Sequence, residues 1–144
     1  MQSRSLAKYY CVDHALAKSN GFWKVDDPTR ILELIVCSEL MRRRYDVFYW
    51  RSEKNLEVDF ILARGHSPEV AIQVAYSIAD SETEERELRA LVAAKEELKI
   101  KKLFVITRYE RRKIKFRGIT VEVIPLIEFL LTKDLKVTAA MDAR

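Results

Sequence analysis

The chain has 144 residues, 49% of them hydrophobic and 33% charged, with 26 Lys plus Arg against 22 Asp plus Glu for a formal net charge of +4. Its three glycines, Gly21, Gly65 and Gly118, stand more than forty residues apart, so neither a Walker phosphate loop nor a Rossmann dinucleotide turn, which gather their glycines within about six residues, can be built from them. No run approaches the ~20 apolar residues that span a bilayer, and the start MQSRSLAKYY lacks a signal-peptide core, which reads as a cytoplasmic protein with no membrane partner.

The first 27 residues form an extension rich in apolar side chains, Tyr9, Tyr10, Cys11, Val12, Phe22 and Trp23 among them, expected to pack on the core or on a neighbouring module. Asp27-Pro28 then offers an N-cap with proline at the first helical position. The following TRILELIVCSELMRRR is apolar almost all round, with Glu33 and Glu39 as exceptions, and predicts a largely buried helix over 28–44. Arg42, Arg43 and Arg44 close it, where cations suit the helix dipole. Cys11 and Cys37 each sit alone among apolar residues and read as buried free thiols. His14 and His66 have no Cys or His at ligand spacing, so a zinc site is not expected.

Three segments of strand character come next: DVFYWR (46–51), LEVDFIL (56–62) and EVAIQVAY (69–76), divided by the turn-prone SEKN and RGHSP. Simple alternation puts Leu56, Val58, Phe60 and Leu62 on one face and Glu57, Asp59 and Ile61 on the other. In the third segment Val70, Ile72 and Val74 oppose Ala71, Gln73 and Ala75. Ser81 and Glu84 read as a capping box opening a helix to about Lys99, with Leu88, Leu91, Val92 and Leu98 on its apolar stripe. LFVIT (103–107) reads as a strand buried on both faces, GITVEVIP (118–125) as another strand, PLIEFLLTK as a short helix, and the tail from about residue 133 as a fraying end.

The order is therefore α-β-β-β-α-β with a strand and a helix appended, an α/β domain over 28–132. An acidic residue late in the second strand and a polar one in the third is the arrangement of a two-carboxylate metal nuclease, in which an Asp and a Glu on adjacent strands hold Mg²⁺ and a nearby Lys orients the attacking water. Here those positions read Asp59, Gln73 and Ala75, and Glu33 on the first helix can reach the same polar face. The segments KYYCVDHALA, RILELIVCSEL, VFYWR, LEVDFIL, AIQVAYSIADSETEEREL and ITVEVIP resemble the uncharacterised domain that follows AAA-type ATPase modules in many archaeal and bacterial proteins. That family in turn resembles the PD-(D/E)xK nuclease superfamily.

The resemblance implies a restriction-endonuclease-like core with a mixed central sheet flanked by helices. It also implies a catalytic and Mg²⁺-binding set of Glu33, Asp59 and Gln73, and an AAA-type ATPase partner on the same or another chain. Glutamine at 73 offers a carbonyl oxygen but no charge, and Ala75 has no group to polarise water unless Lys54 or another base reaches in. The expectation is a nuclease-like accessory or regulatory domain with a degraded site that binds DNA or a protein; the alternatives are an active Mg²⁺-dependent DNA endonuclease and a protein-interaction scaffold with no nucleic-acid role.

Charge is uneven along the chain. Arg108, Arg111, Arg112, Lys113, Lys115 and Arg117 against Glu110 leave +5 in ten residues, with Tyr109 and Phe116 interleaved, and read as a basic hairpin suited to a phosphate backbone. Residues 80–87 carry −4, which a helix N-terminus accepts through its dipole.

Overall fold

The computed structural model describes residues 27–133 and 135. The N-terminal extension, with Cys11 and His14, and the tail beyond residue 135 lie outside the described residues. Within them the elements are α1 (Pro28–Arg42), β1 (Asp46–Arg51), β2 (Glu57–Arg64), β3 (Ser67–Val74), α2 (Ser81–Leu98), β4 (Lys102–Thr107), β5 (Arg112–Phe116), β6 (Ile119–Pro125) and α3 (Leu126–Leu131). The chain order expected from hydrophobic patterning is present. One element is added to it, since the basic stretch contributes a strand of its own, β5.

The six strands form one mixed sheet in the order β1-β2-β3-β4-β6-β5. Strands β1 to β3 make an antiparallel meander. Helix α2 then carries the chain over to β4, parallel to β3. Strand β6 is parallel to β4, and β5 closes the sheet antiparallel to β6. The two-residue turn between Arg64 and Ser67 has Gly65 at φ 61°, a left-handed position that glycine takes without steric cost.

Each face of the sheet has its own core. On one face α1 and α3 bury Leu32, Val36, Leu40 and Phe129 against Phe60, Leu62, Ile72, Phe104 and Ile106. On the other, α2 buries Leu88, Leu91 and Ala94 against Val58, Ile61, Ala71, Val105 and Val123. Strand β4 feeds both cores and is buried from Leu103 to Thr107, which is why LFVIT carries no alternation. Helix α1 is less enclosed than its composition predicts: Ile31 and Met41 are 37% and 63% exposed, because among the described residues the helix lies in an outer layer with only α3 beside it. Arg43 joins those two helices. Its Nη2 donates to Phe129 O at 2.7 Å and its Nε to Glu39 Oε1 at 2.6 Å, while the guanidinium lies 4.8 Å from the Phe129 ring centroid.

Two local expectations are corrected. The cap of α2 is Asp80, whose side chain accepts from Thr83 N at 2.8 Å, one residue before the Ser81 of the expected capping box; a carboxylate is as good a cap as a hydroxyl and adds charge at the positive end of the dipole. Strand β2 does not alternate throughout. Phe48 pairs with Ile61 and Trp50 with Val58, so Asp59 and Phe60 together oppose the single residue Tyr49, a β-bulge. Val58 and Ile61 consequently face α2, while Phe60 and Leu62 face α1.

Candidate functional site

The bulge decides where the candidate acid points. Asp59, half-buried, lines a groove of about 450 Å³ with Cys37 and Met41 of α1 and with Tyr49 and Phe60. Gln73 keeps its expected direction and reaches α2 on the other side, where its Nε2 donates to Glu87 Oε2 at 2.8 Å. The shared polar face inferred from strict alternation is therefore not formed, although the two residues remain neighbours on adjacent strands.

They also hold those strands together. The backbone ladder between β2 and β3 ends at the Phe60–Ile72 pair. Beyond it, Asp59 N donates to Gln73 Oε1 at 2.9 Å, Gln73 Nε2 donates to Glu57 O at 2.8 Å, and Val74 N donates to Asp59 Oδ2 at 2.9 Å. Three inter-strand bonds are thus made by side chains where two strands diverge. Gln73 is only 4% exposed, and a carboxamide buried at that depth without partners would cost about 1–3 kcal/mol. Here its oxygen and both its N–H groups are used.

Glu87 was counted in the acidic run at the start of α2, but it is buried at 8% exposure. Besides Gln73 it takes Arg86, whose Nη2 lies 2.8 Å from Oε1. The signal that identifies it is its position: Glu87 stands four and seven residues before Leu91 and Ala94 on the buried stripe, where an unpaired carboxylate is rarely tolerated.

Helix α1 is anchored at the same end of the sheet, since Tyr76 N donates to Thr29 Oγ1 at 3.2 Å. Glu33, half-buried, lies one turn beyond Thr29 on the same helix face. That face leads from the end of β3 toward the groove, whose helical wall is formed by Cys37 and Met41. Ala75 is 4% exposed and belongs to the α2 core. Lys54 is exposed in the turn between β1 and β2. The Tyr49 hydroxyl stays neutral, its pKa pushed well up by burial first and by its hydrogen bond to Glu57 next. Burial likewise raises the pKa of the Cys37 thiol, a free cysteine.

Oxygens that the resemblance assigns to a divalent cation are engaged within the fold. Asp59 Oδ2 and Gln73 Oε1 each already accept a backbone N–H, and among the described residues no three of His, Cys, Asp and Glu stand close enough to hold a metal ion. Mg²⁺ coordination needs several oxygens in near-octahedral geometry.

The six cations of the expected basic hairpin are dispersed. Arg112 packs on the α2 side, pairing with Glu84 at 2.7 Å and donating to Ile78 O at 3.0 Å. Arg111 turns to the other side and pairs with Glu128 of α3. Lys113 stands across from Glu122 on β6. Arg108, which lies 5.0 Å from the Tyr109 ring centroid, is at the C-terminal end of β4, whereas Lys115 and Arg117 are at the opposite end of the sheet. Glu110 is not part of a solvated tip either: its Oε1 accepts from Ile78 N and Ser77 Oγ and ties β5 to the loop before α2.

Among the described residues no helix is long and apolar enough to cross a membrane. Comparison with protein families matches residues 29–129 to a domain of unknown function, DUF4143. Comparison with curated proteins gives no match.

Proposed function

The chain belongs to the DUF4143 family, and from that premise we propose that it is a nuclease-like binding module, an accessory or regulatory domain of an AAA-type ATPase system whose ancestral catalytic position now serves as a structural clamp. The nuclease-like part of this reading is supported by the α-β-β-β-α-β order and by an acid and a carboxamide meeting where β2 and β3 diverge. The ATPase part rests on the sequence resemblance alone.

One observation carries the loss of catalysis. Asp59 and Gln73 are spent on backbone groups of each other's strands, and the neighbouring position that the resemblance gives to a lysine is the buried Ala75. A water-activating site needs a free carboxylate pair to hold the metal and a base or cation near the attacking water. The three positions that the resemblance assigns on β2 and β3 offer one carboxylate already accepting a hydrogen bond, a neutral amide and a methyl group.

The test is direct. Supercoiled, linear and branched DNA are incubated with the protein in Mg²⁺ or Mn²⁺, beside an Asp59→Ala variant. The module reading expects no cleavage from either. Cleavage by the wild type that disappears in the variant would overturn it in favour of the endonuclease.

A further inference from the structure

The cations of this protein fall into two groups. At the end of the sheet that holds Asp59 and Gln73, four arginines stand beside carboxylates, Arg51 with Glu57, Arg86 with Glu87, Arg111 with Glu128 and Arg112 with Glu84, while Arg108 and Lys54 are exposed without an ion pair among the described residues. At the other end the pattern is reversed. Arg44 precedes β1, Arg64 ends β2, Lys99 and Lys101 lead into β4, and Lys115 and Arg117 flank the turn between β5 and β6. All six are exposed, and none forms an ion pair among the described residues.

Strand register places them along one edge. Asp46 is opposite Ala63, Arg64 opposite Ser67, Val70 beside Lys102, Phe104 beside Glu122, and Phe116 opposite Ile119. Six strands at ~4.8 Å spacing make this edge about 24 Å long. That is the rise of roughly seven base pairs of duplex at 3.4 Å per phosphate of a strand. Carboxylates share the edge with the six cations: Asp46, Glu69 beside Arg64 and Lys101, and Glu96 and Glu97 in the last turn of α2 before Lys99.

A second, independent observation concerns the backbone. Four non-glycine residues have left-handed φ, and three of them are Arg44 at 59°, Lys99 at 57° and Arg117 at 50°. Such positions, including the residue that ends a helix, ordinarily go to glycine or asparagine because a Cβ is unfavourable there. Three times at one end of the molecule the chain accepts that cost and carries a cation instead. The helix dipole accounts for a cation after α1 and after α2. It does not account for Arg64, Lys101 or Arg117, which sit at strand ends.

We propose that this edge of the sheet is a docking surface for the phosphate backbone of nucleic acid, on the far side of the domain from the Asp59–Gln73 corner. A row of exposed cations across several strands, without ion pairs among the described residues, fits a regularly charged polyanion read without regard to sequence. The inference deepens the binding-module reading and rests on it for the statement that the domain binds. It names the partner and moves the contact from the 108–117 hairpin as a whole to an edge that takes only Lys115 and Arg117 from it.

The experiment measures fluorescence anisotropy of a labelled duplex of about 25 base pairs at salt from about 50 to 200 mM, for the full chain and three variants. Arg64→Glu/Lys101→Glu/Arg117→Glu is expected to lose at least tenfold in affinity, with a salt slope shallower by roughly 2–3. Arg108→Glu/Lys113→Glu is expected to stay within about twofold of wild type, since those residues lie off the edge. Arg44→Gly/Lys99→Gly/Arg117→Gly relieves three left-handed backbones, so it is expected to melt at a higher temperature while binding less tightly. Circular dichroism checks that each variant is folded.

Absence of salt-dependent DNA binding by the wild type overturns the proposal, as does a loss carried by the hairpin variant. Binding of an acidic polypeptide such as poly-glutamate through the same residues, with DNA not bound, overturns it in favour of a protein partner. None of these results bears on the cleavage assay, so failure of this inference and failure of the module reading are distinguishable.

Discussion

The two ends of the sheet use the same residue types for opposite purposes. At the Asp59–Gln73 end, charged and polar side chains are engaged by the fold: Gln73 joins Glu57 O, Asp59 N and Glu87, Glu110 holds the loop before α2, and Arg112 joins Glu84 to Ile78 O. At the opposite end Arg64, Lys101 and Arg117 are exposed and form no ion pair among the described residues. A charged group that is hydrogen-bonded inside a low-dielectric site stabilises the fold and is lost to outside chemistry. One left in solvent adds little stability and is available to a partner. The same residue types thus mark a structural corner at one end and, under the docking proposal, a contact surface at the other.

The contrast breaks most severely at Gln73. Gln73→Glu sets a carboxylate against Glu87 Oε2, now 2.8 Å from the amide nitrogen, and removes the donor to Glu57 O. This substitution should cost about 3 kcal/mol or more through buried like charge. Urea unfolding measures it, and a variant as stable as wild type would mean that the clamp contributes nothing. Asp59→Ala comes next. It leaves the Val74 N–H, on a residue 3% exposed, without its acceptor, with an expected loss of about 1–3 kcal/mol in the same measurement.

A smaller effect appears in acid. Hydrogen bonds from Arg42 first, and from Arg43, hold the Glu39 carboxyl at about 2 against an ordinary value of 4.5, with burial opposing. Because the folded value is the lower one, this stabilisation is fully present above pH 4.5 and drains away as pH falls toward about 2. Glu39→Gln should therefore flatten the acid side of a stability–pH profile and leave its neutral side with the same slope. Smallest of all, Arg64→Ala and Lys101→Ala should each shift stability by no more than about 0.5 kcal/mol, since nothing in the fold uses their charge. A loss of the size expected for Asp59→Ala would show that the unpaired end is structural after all.

How much of this was legible beforehand depended on the range of the interaction. The α1 start at Asp27-Pro28, the meander, the apolar β4 and the order of elements are written in hydrophobic period and in caps, which act over a few residues. Strand β5 was harder to see, because RKIKF alternates but is charged enough to resemble a loop. Asp59 and Gln73 stood out as residues and were correctly placed on neighbouring strands. Their orientation was not readable. Alternation in β2 fails at Asp59-Phe60 only because Tyr49 on another strand opposes both, and no pattern within LEVDFIL announces that. Glu87 reads from the sequence as one of the acids at the start of α2, and its partner Gln73 lies 14 residues away.

By itself, then, the sequence determined the succession of helices and strands, the exclusion of a glycine-rich phosphate loop, and the neutral character of positions 73 and 75, because each of these is carried by residue type or local period. Only the tertiary structure decided that the +5 stretch is divided between two ends and two sides of the sheet, that the candidate acid turns toward α1 while the carboxamide turns toward α2, and that Arg44, Arg64, Lys99, Lys101, Lys115 and Arg117 line one edge. Strand order is the physical reason. Hydrogen bonding across the sheet brings together residues far apart in the chain and separates the two ends of a single strand by its full length, so charge measured along the sequence need not be charge gathered in space.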